Sequence, residues 1–333
     1  MPVRSTLSRA WSATARYRIP IAIALLLLFL GIYIWREHDQ IGASLDAMRA
    51  ADRTWIALAL AVQVFAIATL ALSYVAVMRL LGYHLGFRRL TRLHLRRMAV
   101  ATVTPAGSAT SIYVFVKSVE NDNVSASDAL LTIGLRGACG YAAFVLLLPA
   151  AILLHEQTFS VQLAAIALSL ILALMVIMLR SLLGGARPPA WIDRLPGRLV
   201  RFVEQARRHD IHVRGLALPA LYSLTSKLAS VGVVYCALLA VGYDAPLSTA
   251  LVGYVVANIS QAVAPVFGGF GVVELTMAIA LEQLGVPTPQ AIAAALIFRL
   301  CDLWFQLGLG LVAQVQWGAL FRRFVLPAGA PDG

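Results

Sequence analysis

Hydrophobic residues form long, nearly continuous runs along this chain, separated by short arginine-rich segments. An α-helix needs about 20 apolar residues to cross a bilayer, and six of the runs approach or exceed that length. They predict six full transmembrane helices, at about 19–35, 54–78, 128–153, 161–179, 216–241 and 289–317. The first run follows four arginines and ends at Trp35, which favours a retained anchor over a cleaved signal peptide.

Two further apolar regions, at about 88–121 and 246–284, are too long for one helix and are interrupted by proline or glycine. Arginine-rich connecting segments belong on the cytoplasmic side of a membrane. They all fall on that side only if each interrupted region enters the membrane and returns to the face from which it came. We therefore predict two re-entrant helical hairpins that open on opposite faces, with the N- and C-termini in the cytoplasm.

The two halves of the chain show a weak internal repeat. Val124–Arg136 parallels Val286–Arg299, and the Pro-Ala-Gly break before the first segment parallels the Pro and Gly breaks before the second. Ser125 and Thr288 are predicted helix N-caps. Hairpins entering from opposite faces and repeated in sequence are typical of an inverted repeat.

A single polytopic membrane domain over residues 1–330 accommodates these elements. Its half-repeats lie at about 54–153 and 216–317. The basic segment 180–215 joins them, and its amphipathic pattern favours a helix in the headgroup layer over a solvated linker. Residues 327–333 are predicted to be a loose tail. The predicted fold class is thus an all-α integral membrane protein.

Composition supports this class and narrows the function. The chain is 60% hydrophobic, with a mean hydropathy of +0.81 and a net charge of +11. In a soluble protein that charge would suggest nucleic acid, but here it maps onto a few loops and indicates attraction to anionic lipid. The sequence contains no nucleotide-binding, metalloprotease or nucleophile-elbow signature. We therefore expect no nucleic-acid partner, no metal, no cofactor and no enzymatic activity.

Charged residues inside the apolar runs are the candidate site. Arg299, Asp302 and Gln306 recur at helical spacing on the last crossing. A charge at the bilayer centre costs about 2.5–3.5 kcal/mol on insertion scales, so this stripe should face protein or water. Two interpretations stay open: a self-neutralising Arg299–Asp302 pair, or an arginine that binds a lipid phosphate. Arg136 has no acid one turn later, which favours the second.

Glu274 follows a glycine-rich break and is the obvious partner for either arginine, or a proton acceptor. The glycines there either form a tight turn or leave free N–H groups as an anion cradle. Lys227, within the fifth crossing, either adds a cation or extends its ammonium toward the interface. The candidate substrate-binding residues are Arg136, Arg299, Asp302, Glu274, Gly268, Gly269, Gly271, Lys227 and Gln306.

The combination APVFGGFGVVE followed by GVPTPQAIAAALIFRL resembles a known family. It is similar to the transmembrane flippase-like part of the bacterial lysylphosphatidylglycerol synthase/flippases, whose stand-alone relatives include a hopanoid-associated group. Gly268, Gly269, Gly271, Glu274, Gly285, Val286 and Arg299 carry the resemblance. Pro265 stands three residues before the glycine pair instead of next to it. The resemblance implies an inner-membrane protein that moves or binds phosphate-bearing lipids, without the soluble domain that transfers lysine in fused members.

The sequence therefore predicts a flippase or transporter of anionic, phosphate-bearing lipid in the bacterial inner membrane. Its partners would be the membrane, a phospholipid or other anionic lipid, and lipid-biosynthesis proteins. Two alternatives stay open. One is an intramembrane enzyme acting on a lipid or polyprenyl phosphate. The other is a non-transporting partner of a lipid-biosynthesis complex of the hopanoid type.

Overall fold

The described part of the chain consists of α-helices joined by short turns. A computed structural model describes residues 38–104, 107–155, 204, 207–209, 211–263, 269 and 271–315. Over these residues the helices are α1 (His38–Arg49), α2 (Arg53–Leu80), α3 (Phe87–Val103), α4 (Gly107–Glu120), α5 (Ala126–His155), α6 (Ala217–Ala240), α7 (Leu247–Val263), α8 (Val272–Gln283), α9 (Thr288–Arg299) and α10 (Gln306–Val315). A short 3₁₀ helix, Val213–Leu216, precedes α6, and the π-helical segment Leu300–Phe305 joins α9 to α10. No strand occurs among them.

Four helical segments are long and apolar enough to cross a membrane. They are Arg53–Leu80, Ala126–Ala151, Arg214–Ala240 and Thr288–Ala313. Each coincides with a predicted crossing. The predicted crossings at 19–35 and 161–179 lie outside the described residues, as do most of the basic segment 180–215 and the tail 327–333.

Both interrupted regions contain a pair of helices. The first pair is α3 and α4, the second is α7 and α8, and the two members of each pair pack on each other. After α3, Thr104 is extended, with φ −99° and ψ 137°. It precedes Pro105, and a residue before proline is displaced from the α region. The predicted breaks are therefore present, while the re-entrant course of the two pairs stays a prediction.

Equivalent helices of the two halves end in the same way. Gly82 follows α2 with φ +84°, and Gly242 follows α6 with φ +75°. The N–H that follows each glycine donates back to a carbonyl five residues earlier, Tyr83 to Met78 and Tyr243 to Leu238. Glycine is needed because other side chains rarely adopt this left-handed conformation. The order and lengths of the helices also match: 28 and 24 residues for α2 and α6, and 17 each for α3 and α7.

The two halves pack against each other with α2 and α6 antiparallel. The start of α2 contacts the end of α6, where the Asp52 N–H donates to the Ala240 carbonyl. Near the middle of both helices, the Ser226 hydroxyl donates to the Ala66 carbonyl. At the other end of α2, the Ser73 hydroxyl donates to the Pro219 carbonyl at 3.1 Å. α3 packs on α10 and α7 packs on α5. Each helix pair is therefore contacted by a helix of the other half. This places the centre of the molecule between the halves.

Two sequence expectations on helix starts had different outcomes. The Ser125 hydroxyl accepts the Asp128 N–H at 3.1 Å, which confirms it as the cap of α5. The N-cap expected at Thr288 is wrong, because Pro287 is the N-cap and Thr288 is the first helical residue. The Thr288 hydroxyl instead donates to the Glu282 carboxylate. The proline at position 287 already fixes the turn before α9, so no side-chain cap is used.

Candidate functional site

A polar cavity of about 230 Å³ lies between the two halves. Its walls come from α2, α3 and α5 of the first half and from α6, α7, α8, α9 and the residues after α9 in the second. Its charged and amide-bearing lining residues are Gln63, Arg97, Arg136, Lys227, Asn258, Gln261, Arg299, Asp302 and Gln306, with His94 beside them. A cavity of this polarity between apolar helices is typical of a ligand site.

Five of the predicted site residues line this cavity: Arg136, Lys227, Arg299, Asp302 and Gln306. They come from three different predicted crossings. The tertiary structure therefore brings together side chains from both halves of the chain. The other predicted residues stand elsewhere. Glu274 does not line the cavity but contacts Arg299, which does. Gly269 and Gly271 are not among the lining residues, and Gly268 lies outside the described residues.

Arg299 is almost fully buried, with 1% of its surface exposed. Its Nε donates to Glu274 Oε1 at 2.8 Å, and its Nη1 lies 4.0 Å from Asp302 Oδ2. A buried guanidinium is costly unless it is paired and hydrogen-bonded. The expectation that Glu274 pairs with an arginine is confirmed for Arg299. Arg299 and Asp302 also form the expected pair, but at the longer distance of 4.0 Å, and the closer partner of Arg299 is Glu274 on α8.

Asp302 lies in the π-helical segment between α9 and α10. Gln306 Nε2 donates to Asp302 Oδ1 at 3.2 Å, and Gln63 Nε2 of α2 reaches the same oxygen at 3.5 Å. Two amides thus hold the carboxylate at the junction of the halves. A π-helical turn inside an α-helix is rare and is often found at functional sites. Here it carries the acidic residue that lines the cavity.

Arg136 has a different environment from Arg299. Its guanidinium carbon lies 5.3 Å from the centre of the Tyr74 ring. Arg97 approaches the same ring at 5.9 Å, and the His94 ring centre is 5.8 Å from it. Within the described part of the chain, neither Arg97 nor Arg136 forms a salt bridge, and the Nε of each is buried without a hydrogen-bond partner.

Lys227 points into the cavity. Its Nζ lies 5.7 Å from the centres of the Phe144 and Tyr254 rings, a cation–π distance. It also reaches Asn258 Oδ1 at 3.5 Å, and Asn258 in turn donates to the Tyr254 hydroxyl at 3.0 Å. Of the two interpretations of Lys227, this position corresponds to the added cation.

The described glycines of the break before α8 have a conformational reason. Gly269 and Gly271 adopt φ of +76° and +82°. Both values lie in the region that other residues avoid, so the turn itself requires glycine at these positions. Gly271 is the N-cap of α8, one helical turn before Glu274 comes to face Arg299. The anion cradle stays a prediction.

Five lining residues with a charged, amide or imidazole side chain are absent from the predicted site: Gln63, His94, Arg97, Asn258 and Gln261. Arg97 stands at the end of an arginine-rich stretch and so resembles the arginines of the connecting segments, but it lies within α3. The repeat held a usable signal. His94 comes 12 residues after Gly82, and Tyr254 comes 12 residues after Gly242. These two equivalent positions both line the cavity. Gln63 carried no signal, because a single amide in an apolar run is common at helix contacts.

Histidines and cysteines do not assemble into a metal site in the part of the chain that the structure describes, where no group of three metal-ligating side chains occurs. His209 Nε2 instead lies 2.7 Å from Asp128 Oδ1, and Asp128 also accepts from the Tyr83 hydroxyl at 2.7 Å. This cluster lies at the start of α5. Its contacts are internal to the protein and fix the segment before α6 against the first half.

A family comparison now identifies the chain's relatives. The family model of the lysylphosphatidylglycerol synthase TM region matches residues 17–310. The chain belongs to this family. The match covers both halves of the repeat and the whole cavity, and it confirms the resemblance found in the sequence. No curated protein matches the chain. With its apolar helices, the chain is therefore a membrane protein of a lipid-related family.

Proposed function

We propose that this member of the family is a flippase or transporter that moves an anionic, phosphate-bearing lipid across the bacterial inner membrane. One observation carries the proposal. The cavity between the halves has cationic groups on both sides, and Arg136 and Arg97 have no carboxylate partner among the described residues. A lipid phosphate is the counter-charge that a membrane offers to such groups, and guanidinium groups bind phosphate through several hydrogen bonds.

The packing of the halves supports a transport mechanism over a fixed binding site. α2 and α6 are equivalent, run antiparallel and contact each other along their length. We interpret this as an inverted repeat with two re-entrant pairs, α3–α4 and α7–α8. In such a fold, the two halves exchange conformations around a central site and expose it alternately to each face. The cationic side chains of the cavity would stay with the headgroup while the acyl chains remain in lipid.

Lipid movement by purified protein tests this proposal. The protein is reconstituted in vesicles with acyl-labelled fluorescent phosphatidic acid or, separately, phosphatidylglycerol, and a membrane-impermeant quencher is added. Without transport, only label in the outer leaflet is quenched. We expect the protein to make the label of at least one lipid fully accessible. We expect Arg136→Gln to abolish this, because the substitution removes a cavity charge without exposing a paired carboxylate.

Arg92→Gln is the matched control. Arg92 is an exposed arginine of α3 that does not line the cavity, and its substitution removes the same charge. It should leave the transport rate unchanged. Transport by Arg136→Gln at the parent rate would overturn the proposal. We propose further that the chain is not an enzyme, so the lipid extracted after the assay should be chemically intact. A covalently altered lipid would instead favour the alternative of an intramembrane enzyme.

A further inference from the structure

Cationic groups at the cavity outnumber carboxylates by two. Arg97, Arg136, Lys227 and Arg299 line it, while the acids are Asp302 on the wall and Glu274 against Arg299. Each of these side chains is counted here with the charge that it carries in water at pH 7. Among the described residues the site therefore carries an excess of two positive charges.

This excess is concentrated on the first half. The guanidinium carbons of Arg97 and Arg136 lie within 5.9 Å of one ring centre, that of Tyr74. Each of these arginines has a buried Nε without a partner, and both nitrogens of His94 are also buried and unpaired. The acidic groups both belong to the second half, Glu274 on α8 and Asp302 after α9. The lining residues of the first half are thus free of acids and rich in donors, while the charges of the second half balance.

The first half of the cavity lining therefore lacks negative charge, and the Nε atoms of its two arginines lack hydrogen-bond acceptors. Two like charges in a medium of low dielectric repel each other, and each buried donor without an acceptor costs free energy. A ligand that relieves both must bring two negative charges and several acceptor oxygens. A phosphate monoester carries a charge of about −1.5 to −2 at pH 7 and three terminal oxygens. A phosphate diester carries one charge and has two such oxygens.

We infer that the cavity binds the headgroup of a lipid phosphomonoester in preference to a phosphodiester, with the phosphate held by Arg97 and Arg136. This inference rests on the proposed lipid transport, because it names the headgroup that the protein carries. Arg97 becomes a specificity-determining residue: with it the excess charge is two, and without it one. Asp302 repels phosphate and so favours its binding at Arg97 and Arg136, on α3 and α5.

Binding of short-chain lipids to the purified, full-length protein tests the inference. Dioctanoyl phosphatidic acid is the monoester probe, and dioctanoyl phosphatidylglycerol is the diester probe. We expect the monoester to bind about ten- to hundredfold more tightly at pH 8, the range that one added charge-assisted hydrogen bond provides. Because the second phosphate pKa is about 6, lowering the pH to 5 should weaken monoester binding about tenfold. Diester binding should change much less. A third probe, glycerol 3-phosphate, carries the same ester without acyl chains and should bind more weakly.

Variants of Arg97 separate charge from folding. Arg97→Gln should abolish the preference for the monoester, whereas Arg97→Lys should retain it. Arg92→Gln should behave like the parent. Equal affinity for the two lipids, with no dependence on pH, would overturn the inference, as would an Arg97→Gln variant with its preference intact. Glycerol 3-phosphate binding as tightly as the lipid would overturn the assignment to a lipid headgroup.

The same probes in the vesicle assay distinguish failure of the inference from failure of the proposed function. Equal binding accompanied by translocation of either lipid would leave the flippase proposal standing and remove the headgroup assignment. Preferential binding of the monoester without translocation of any lipid would leave the headgroup assignment standing and overturn the flippase proposal. Preferential binding and faster translocation of the monoester would support both.

Discussion

Arg136 and Arg299 were predicted as equivalent residues of a repeat, yet the two halves treat them differently. Arg299 is buried against Glu274 at 2.8 Å, with Asp302 close by. Arg136 lies over an aromatic ring and forms no salt bridge in the described ranges. The turns after α2 and α6 correspond, at Gly82 and Gly242, while the charges around the two arginines do not. One half holds its arginine in place with acids, and the other leaves its arginines available to a ligand.

Replacing Arg299 should have the largest effect on stability. Arg299→Gln leaves the Glu274 carboxylate without its guanidinium in a nearly dry environment. Removing one partner of a buried ion pair typically costs about 3–5 kcal/mol. We expect a large fall in the thermal unfolding temperature of the detergent-purified protein. Arg136→Gln should change it far less, because no carboxylate depends on Arg136.

The double variant Glu274→Gln/Arg299→Gln sharpens this prediction. Two amides can hydrogen-bond each other and leave no buried charge, so most of the lost stability should return. If the single and double variants were equally unstable, the lost stability would come from packing around Arg299 and not from the unpaired charge of Glu274.

Close packing of α3 on α10 gives the next largest effect. A Cβ atom at Gly310 would lie 2.5 Å from the Leu95 carbonyl oxygen and 2.7 Å from the Ala99 Cβ. Gly310→Ala must therefore separate the two helices, at a cost of about 1–3 kcal/mol. α3 carries Arg97, so we also expect weaker anion binding. Gly308→Ala is the matched control, because a Cβ there meets nothing within 4 Å. Equal melting temperatures for the two variants would contradict the packing argument.

The smallest effect compares the tyrosines that follow α2 and α6. The Tyr83 hydroxyl donates to the Asp128 carboxylate at 2.7 Å, and the Tyr243 hydroxyl donates to the Gly285 carbonyl at 3.2 Å. Hydrogen bonds to charged groups are the stronger class. We expect Tyr83→Phe to cost about 1.5 kcal/mol and Tyr243→Phe about 0.5 kcal/mol in chemical unfolding. The reverse order would show that the carboxylate adds nothing at this position.

The same bond has a predictable pH dependence. Hydrogen bonding to Asp128 raises the pKa of Tyr83 above its ordinary value of 10.0, because ionising the phenol would break the bond. The stability that it contributes is therefore present below pH 10 and is lost as the pH rises through the raised pKa. Tyr83→Phe should flatten this part of the stability profile. An unchanged profile would assign the alkaline transition to another group.

Several features could be read from the sequence for local reasons. Four crossings were found because each depends on its own apolar run, which is long enough to span a membrane wherever the chain folds. The two helix breaks were found because Pro105 and the glycines before Glu274 act on their own backbone. The pairing of Glu274 with Arg299 followed from the cost of burying either charge alone. The cap at Thr288 failed because Pro287 satisfies the same local need.

The inside of the cavity could not be read in this way. Arg97 looked like one more cytoplasmic arginine, and only the packing of α3 on α10 turns its part of the helix toward the centre. His94 and Gln63 lie in sequences that would be equally typical of ordinary helix contacts. The π-helical turn that carries Asp302 has no proline or glycine to announce it. Each of these depends on neighbours from the other half of the chain.

The sequence by itself determined the membrane class, the four described crossings, the two breaks and the two arginines that mark the repeat. Hydrophobic length, backbone restrictions and charge cost act within a few residues of the chain, so they are visible without a fold. Only the tertiary structure decided which cations keep a carboxylate. That depends on distances of a few ångströms between α3, α5, α8 and α9, and antiparallel packing of the two halves sets those distances.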